Sequence, residues 1–420
     1  NTVYMSGSSA FLPVVQATAN ALGSAVNIVY QKPGSCEGLD YLLGDTGVAI
    51  QPDQDAAFTM APNGPASPAG CTLPMITFTN TTGTMTTAAA AKVDIGISDV
   101  YASTCIASFD PMLVPVGTMT KDFLGPIQAM TIAVPSASTE NVISAEAAYM
   151  VFGFAAGSAA NTIAPWNVPA DIFVRFWDSG TLEMVATAIN LAGGKFVNAT
   201  NKSSAQTTAN SQGMATALTT AAAKGMTDTN AAIGILGAAN LVTGTKALAF
   251  QAKGQSCGYL PDSDSSHGDK INVRQGRYDI WGPEHMITNV DSSGNPVGQN
   301  SNTAAVQMVI EALLSTSQAP AAMSGDAGTA LTDAQVGAII DAISAPASGV
   351  VPWCAMQVQR TMEIGPEASY QPPAACSCRF EMAAGGALTG HTCTACTAAN
   401  AATTCTGTTP ACRFGYCEAK

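Results

Sequence analysis

The chain has 420 residues, 16 of them Lys or Arg and 29 Asp or Glu, so its formal charge is −13 while only 11% of its residues are charged. That length exceeds one ordinary core and suits two lobes plus an appendage. The acidic balance excludes the electrostatic footprint of a nucleic-acid binder, and no apolar run reaches the roughly 18 residues of a membrane-spanning helix. An anionic ligand would have to be held by local dipoles and a few placed donors. The 12 cysteines, even in number and densest near the C-terminus, predict an oxidised framework outside the cytoplasm. Zinc is disfavoured, because Cys393 and Cys396 of "CTAC" have no second CxxC or paired histidines at finger spacing. With Asn1 first and no charged-then-apolar leader, the expectation is a mature secreted chain, periplasmic or extracellular.

The opening "VYMSGSSAFLPVVQATANALG" predicts a strand, a Gly-Ser turn and a helix with Pro13 in its first turn, where a missing N–H costs little, and Gly23 as its stop. "VNIVYQKPGSCEGLDYLLG" repeats the unit through a Pro-Gly turn and closes at Gly44. Residues 45–91, rich in Pro, Asn, Thr and Ala, lack sustained periodicity and read as an insertion before "KVDIGISD", where Val93, Ile95 and Ile97 alternate as in a strand. "AMTIAVP" is a further strand and "TENVISAEAAYMVFGFAAG" is helical. "ADIFVRFWDSGTLEMVATAINLAGG" forms a third strand–turn–helix unit stopped by Gly193 and Gly194. "NAAIGILGAANL" and "KALAFQAKG" read as strands, and "INVRQGRYDIWGPEHMITNV" as β-rich. "NTAAVQMVIEALLS" and "LTDAQVGAIIDAIS" read as helices, the second opened by a capping box of Thr332 and Gln335. Strands alternating with helices imply an α/β architecture.

From "QPPAACSC" onward the apolar periodicity stops, and seven cysteines fall between Cys376 and Cys417. A small module held by disulfides is expected there, because its few large apolar residues cannot offset the ordering entropy of the backbone. Seven is odd, so full pairing within the chain requires at least one bond from the tail to Cys36, Cys71, Cys105, Cys257 or Cys354.

Three turns, Gly7-Ser8-Ser9-Ala10, Gly34-Ser35 and Ser179-Gly180-Thr181, each lie between a strand end and a helix start. Helix N-termini present unpaired N–H groups and about half a positive charge, which suits an anion. Taken singly, each Ser is more simply an N-cap. Four motifs occur together, however: "GSSAFLP" with Gly7, Ser9 and Pro13, "YQKPGS" ending at Ser35, "VDIGISD" ending at Asp99, and "RFWDSGT" with Arg175, Ser179, Gly180 and Thr181. In this order they resemble the phosphate-binding components of bacterial ABC importers, whose motifs are "G-x-[ST]-x-x-x-P", "Y-Q-x-x-G-S", "V-D-[FI]-G-x-S-D" and "R-x-x-x-S-G-T". The resemblance runs to about residue 285 and leaves the final 45 residues outside it. Three features depart from it: the long insertion, Cys36 directly after Ser35, and Trp177 where many members carry an acidic partner for the Arg. Asp178 is the expected substitute for that partner.

The resemblance implies a two-lobed type II periplasmic-binding-protein fold with a small disulfide-rich C-terminal module. Lobe one would comprise residues 1–125, including the insertion 45–91, and 242–375; lobe two would comprise 126–241, and the module 376–420. The implied ligand is inorganic phosphate, with no cofactor and no catalysis, delivered to an ABC importer permease. Ser9, Ser35, Ser179 and Thr181 would supply hydroxyls, Ala10 and Gly180 backbone N–H groups, and Arg175 a bidentate fork. Asp99 would accept the proton that phosphate carries and sulfate lacks, making it a filter against sulfate. Taken alone, Asp99 is a solvated strand end and Arg175 a surface ion-pair partner.

The rival reading is a structural surface protein, such as a filament or coat subunit, that self-assembles or attaches to a cell surface through its tail; low charge and the Thr/Ala-rich insertion support it. An enzyme acting on phosphate esters lacks metal ligands and an activated nucleophile in the sequence. His267, His285 and His391 are scattered and read as structural or exposed. "PDSDSSHGD" misplaces the glycine of a calcium loop and reads as a solvated turn. At least three of Trp166, Trp177, Trp281 and Trp353 are expected in the core.

Overall fold

Glycine and proline punctuate the first half of the chain where the strand–turn–helix reading sets its turns. The computed structural model describes residues 2–43, 58–60, 75–80, 83–88, 92–108, 117, 119–154, 163–314, 333–346, 349–388 and 390–419. β1 (Thr2–Gly7) leads into α1 (Leu12–Leu22), which carries Pro13 in its first turn and is closed by Gly23 at φ 61°, whose N–H donates to Ala19 O. β2 (Asn27–Gln31) is followed by α2 (Ser35–Leu43). Within the insertion, β3 (Phe58–Met60) pairs antiparallel with β2, and β4 (Met75–Asn80) with β5 (Gly83–Ala88).

β6 (Ile95–Ser98), α3 (Ala102–Ser108), β7 (Thr120–Pro135), β8 (Val142–Ser144) and α4 (Ala145–Phe154) come next. In the third unit the strand shrinks to two residues, β9 (Val174–Arg175), ahead of α5 (Gly180–Ala188). β10 (Thr207–Thr208) pairs with β9 and precedes α6 (Ser211–Ala222), α7 (Met226–Ala231), β11 (Gly234–Gly237), β12 (Thr245–Ala247) and β13 (Ala249–Gln251). α8 (Ile271–Arg274), β14 (Trp281–Asn289), α9 (Thr303–Leu314) and α10 (Asp333–Ser344) complete the body. The capping residue Thr332 lies outside the described residues.

The stretch read as helical from Thr139 carries strand β8 at Val142–Ser144 before α4 begins, and two other readings change in detail. "NAAIGILGAANL" begins inside helix α7 and becomes a strand only at Gly234, and the β-rich stretch from Ile271 opens with a single helical turn. Local side-chain bonds decide the last case: Asp269 Oδ1 accepts from the N–H of Ile271, and Asn272 Nδ2 donates to the carbonyls of Leu260 and Asp262. These bonds turn the chain before a ladder can start.

The chain is a mixed α/β protein. Its main sheet has the order β11-β7-β14-β6-β1-β2-β3, with β12 also on β7. β1 lies parallel to β2 and β6, whereas β14 is antiparallel to β6 and β7. β7 is 16 residues long; Thr120–Ala129 pair with β14, and Met130–Pro135 with β11 and β12. Position 125/126 falls inside this continuous strand, and residues 245–251 pair with Ala133–Pro135 and Val142–Ser144.

One apolar cluster joins Ile132, Val134, Phe152, Leu182, Val185, Leu218 and Ile235; another joins Val3, Met5, Val14, Val15, Val309, Ile310 and Ile339. Each such side chain taken out of water contributes roughly 1.5–3 kcal/mol. Trp166, Trp281 and Trp353 are buried, as expected. Among the described residues, no helix is long and apolar enough to cross a membrane.

Glycine permits one backbone approach that sets the site. A Cβ on Gly38, in α2, would lie 2.3 Å from Gly7 Cα, and one on Gly7, at φ 149°, would lie 1.8 Å from Ile97 O. Only a pair without side chains lets α2 rest on the end of β1.

In the C-terminal region α11 (Ser377–Ala383) is followed by a hairpin of Ala411–Arg413 and Tyr416–Glu418. Disulfides Cys378–Cys393, Cys396–Cys412 and Cys405–Cys417 close the region on itself, and Cys354–Cys376 ties it to the body as parity requires. A buried ion pair, Arg274 Nη1 to Glu381 Oε1 at 3.0 Å, reinforces that junction. Cys36–Cys105 crosslinks the body, and Cys257 is an exposed free thiol; Cys71 lies outside the described residues. The ligand-like groups Cys378/His391/Cys393 and Cys396/Cys405/Cys417 consist, apart from His391, of disulfide sulfurs. A sulfur in a disulfide is no thiolate ligand. So many crosslinks belong to an oxidising, extracytoplasmic setting.

Candidate anion-binding site

The turns after β1, β2 and β9 converge with the end of β6. Ser9, Ala10, Ser35, Asp99, Arg175, Ser179, Gly180 and Thr181 are all buried, and none of the seven with side chains exposes more than 2%. Ser35 Oγ accepts from the N–H of Asp99 at 3.2 Å, Thr181 Oγ1 donates to Asp99 Oδ2 at 3.3 Å, and Arg175 Nη2 donates to Ser9 Oγ at 3.2 Å. Residues 166 positions apart in sequence thus touch. Gly180 is packed so closely that a Cβ there would stand 2.3 Å from Ser35 Oγ and 2.8 Å from Asp99 Cβ.

These serines are not ordinary caps. Ser179 occupies the N-cap position of α5, yet its side chain makes no capping hydrogen bond, and the cap residue of α1 is Phe11. An N-cap hydroxyl normally serves the N–H of the second or third helical residue. Here that N-terminus keeps its positive dipole end directed at the shared centre. The expected donor Ala10 differs, because its N–H donates to Ser8 Oγ at 3.1 Å while its carbonyl accepts from Gln128 Nε2 at 3.0 Å.

Arg175 and Asp178 find partners that motif spacing did not foretell. Arg175 Nη1 donates to Ser211 Oγ at 3.3 Å and Nη2 to Ala209 O at 3.0 Å. Ser211 is the first residue of α6, whose Asn210 cap bonds the N–H of Gly213; the segment "ANSQG" is the sequence signal that could have identified this fourth turn. Asp178, the expected acidic partner of Arg175, instead forms its ion pair with Lys202, at 3.6 Å, and Lys202 also reaches Glu37 at 3.5 Å. Burial pushes the Asp178 carboxyl up to about 7, Lys202 opposes that shift, and Glu37 adds to it.

The folded chain therefore holds a proton on Asp178 that the unfolded chain, with an ordinary Asp near 3.9, has already released. Stability contributed here falls as pH rises from about 4 to about 7 and is level above that. Urea unfolding of Asp178→Asn across that interval should show a flatter pH dependence than the parent. Parallel curves for the two proteins would refute the shifted carboxyl.

One buried carboxyl escaped the sequence reading altogether. Glu284, on β14, is 0% exposed, and burial and the Asp99 charge together raise its pKa well above the ordinary value. Nothing around it in "WGPEHM" marks it, because its role follows only from strand register. The histidines are structural or exposed, as expected: His285 is buried against Asp122 at 2.6 Å, and His267 is exposed beside Asp264. The "PDSDSSHGD" turn is solvated only in part, since Asp269 is buried on Ser263 and Asp262 pairs with Lys270 at 2.8 Å.

No family profile and no curated protein matches this sequence. Solved structures do. A phosphate-binding protein from Stenotrophomonas maltophilia is 13% identical, covering 84% of this chain and 90% of its own at a TM-score of 0.43. An ABC-type phosphate transport receptor from Vibrio cholerae is 15% identical, covering 73% and 93% at 0.39. OxyR from Corynebacterium glutamicum, 6% identical, covers 75% and 66% at 0.35. The likeness reaches at most the type II binding-protein architecture and carries no argument about what this chain binds.

Proposed function

We propose that the protein binds inorganic phosphate between two lobes and acts as the extracytoplasmic solute-binding component of an ABC importer, without catalysis. The observation that carries this reading is the convergence of helix N-termini, a buried Arg fork and a buried carboxylate on one centre. Hydroxyls, dipole ends and a guanidinium suit a tetrahedral oxyanion, and Asp99, whose Oδ1 has no partner among the described residues, suits the proton that phosphate keeps. In this reading Ser9, Ala10, Ser35 and Asp99 belong to lobe one (1–125 and 242–375), and Arg175, Ser179, Gly180 and Thr181 to lobe two (126–241). The anion favours closure by touching both lobes. β7 would be one of the crossing strands, and a periplasmic location agrees with the disulfides.

Calorimetry with phosphate and sulfate tests this reading. Asp99→Asn should lower the preference for phosphate by about 10- to 100-fold, since an amide can donate to an unprotonated oxygen where a carboxylate cannot, and a hydrogen bond to a charged group is worth roughly 1.5–3 kcal/mol. Equal selectivity in variant and parent would remove Asp99 from this role. Failure of the parent to bind phosphate would end the proposal.

A further inference from the structure

Glu284 stands beside Asp99 by strand register. β14 and β6 run antiparallel with His285 opposite Ser98, so the next step along the pair sets Glu284 against Asp99. The ladder of β14 with β7 shifts between Pro283 and His285, so that Glu284 sits at the irregularity. It is 0% exposed, and both its carboxyl oxygens, like Asp99 Oδ1, have no partner among the described residues. Two ionised carboxylates have no proton to share and repel each other, whereas a single proton between them satisfies an oxygen on each. Among the described residues, no lysine, arginine or histidine forms an ion pair with either carboxyl. Tyr30, on β2, donates its hydroxyl to Ser8 O, Arg175 is engaged with Ser9, Ala209 and Ser211, and His285 bonds Asp122. Gln128, opposite Gly282 on β7, is neutral.

Resting on the phosphate reading, we propose that Glu284 is a specificity-determining residue of the anion site: it holds a proton and donates it to Asp99, so that the pair carries a single negative charge. Asp99 then stays ionised, with lone pairs left for Thr181 and for the P–OH of the ligand, and the anion meets one carboxylate charge instead of two. Burial and the Asp99 charge, which together hold the Glu284 carboxyl well above its usual range, act in the same direction. Glu284 acts through Asp99 and is therefore a positioning residue.

The test uses the full chain with Glu284→Gln and Glu284→Ala. In anion-free protein at pH 7, the infrared difference spectrum between the parent and Glu284→Gln should show the C=O stretch of a protonated carboxyl present only in the parent, which separates it from the proton held by Asp178. Between about pH 5 and 8, Glu284→Gln should gain stability over the parent by up to tenfold in the unfolding constant per pH unit, because the unfolded parent releases this proton and the folded parent keeps it. Phosphate-over-sulfate preference should fall at least about tenfold in Glu284→Ala, with Gln, which can still donate to Asp99, restoring most of it. No acid band in that difference spectrum, or a stability difference that does not grow with pH, would overturn the shared proton. An unchanged preference in Glu284→Ala would overturn its part in specificity. Absence of phosphate binding by the parent, with the band and the pH dependence intact, would overturn the phosphate reading alone.

Discussion

Arg175→Ala is expected to weaken phosphate binding by roughly 30-fold to several-thousand-fold, the equivalent of about 2–5 kcal/mol for truncating a buried, hydrogen-bonded charge. Arg175 exposes 1% of its surface, and its two terminal nitrogens reach three separate segments through Ser9, Ala209 and Ser211. Removing it deletes the only guanidinium in the predicted anion shell and leaves those three oxygens facing a cavity. Arg175→Lys separates charge from geometry. A lysine keeps the charge but lacks the planar fork, so an intermediate affinity is expected. Calorimetric titration alongside thermal melting checks both variants; phosphate affinity within threefold of the parent in Arg175→Ala would show that the guanidinium does not face the ligand.

The double substitution Cys36→Ala, Cys105→Ala should lower the unfolding free energy by about 4 kcal/mol on the loop-closure estimate. The bond joins residues 69 apart, holding α2 against α3 across the whole insertion. Both cysteines are 0% exposed and pack with Leu39 and Val100. Alanine keeps that position apolar, so the loss reports the crosslink and a small cavity. Anion affinity should fall as well. Ser35 is the neighbour of Cys36, and the N–H of Cys36 donates to Asp178 O at 3.0 Å, so the disulfide anchors the helix N-terminus that faces the site. Urea unfolding of the double variant measures the first effect; a loss below about 1 kcal/mol would mean that the unfolded chain gains little freedom when the bond is absent.

Cys36 shows how the sequence and the structure divide the explanation. Its place directly after Ser35 is visible in the sequence as a departure from the motif, but its function as an anchor appears only with Cys105 beside it. The turns themselves were legible because their physics is local. A glycine or proline and a hydroxyl within a few residues end a strand and open a helix, whatever the rest of the chain does. Ser9, Ser35, Ser179 and Thr181 sit in turns of this kind, whereas Asp99 and Arg175 were named only by the resemblance of four motifs in order, each alone reading as a surface residue; the α/β class followed from alternating elements and the tail's need for a bond to the body from cysteine parity. The requirement for glycine where α2 meets β1 could not be read in any of these ways, since Gly7 and Gly38 touch only after the sheet has formed.

The electrostatics of the site were decided by tertiary structure alone. Asp178 takes Lys202 and Glu37 as neighbours, Arg175 takes Ser211 and Ala209, and Asp99 takes Glu284. Each pairing joins segments far apart in sequence, so no spacing rule encodes it. A carboxyl's charge state depends on burial and on the charges a few ångströms away, which the register of β6 against β14 and the packing of α2 against the turn before α5 determine. The sequence by itself determined which residue types are available to hold an anion; only the folded chain decided which of them share a proton, because desolvation and Coulomb interaction act through space and not along the backbone.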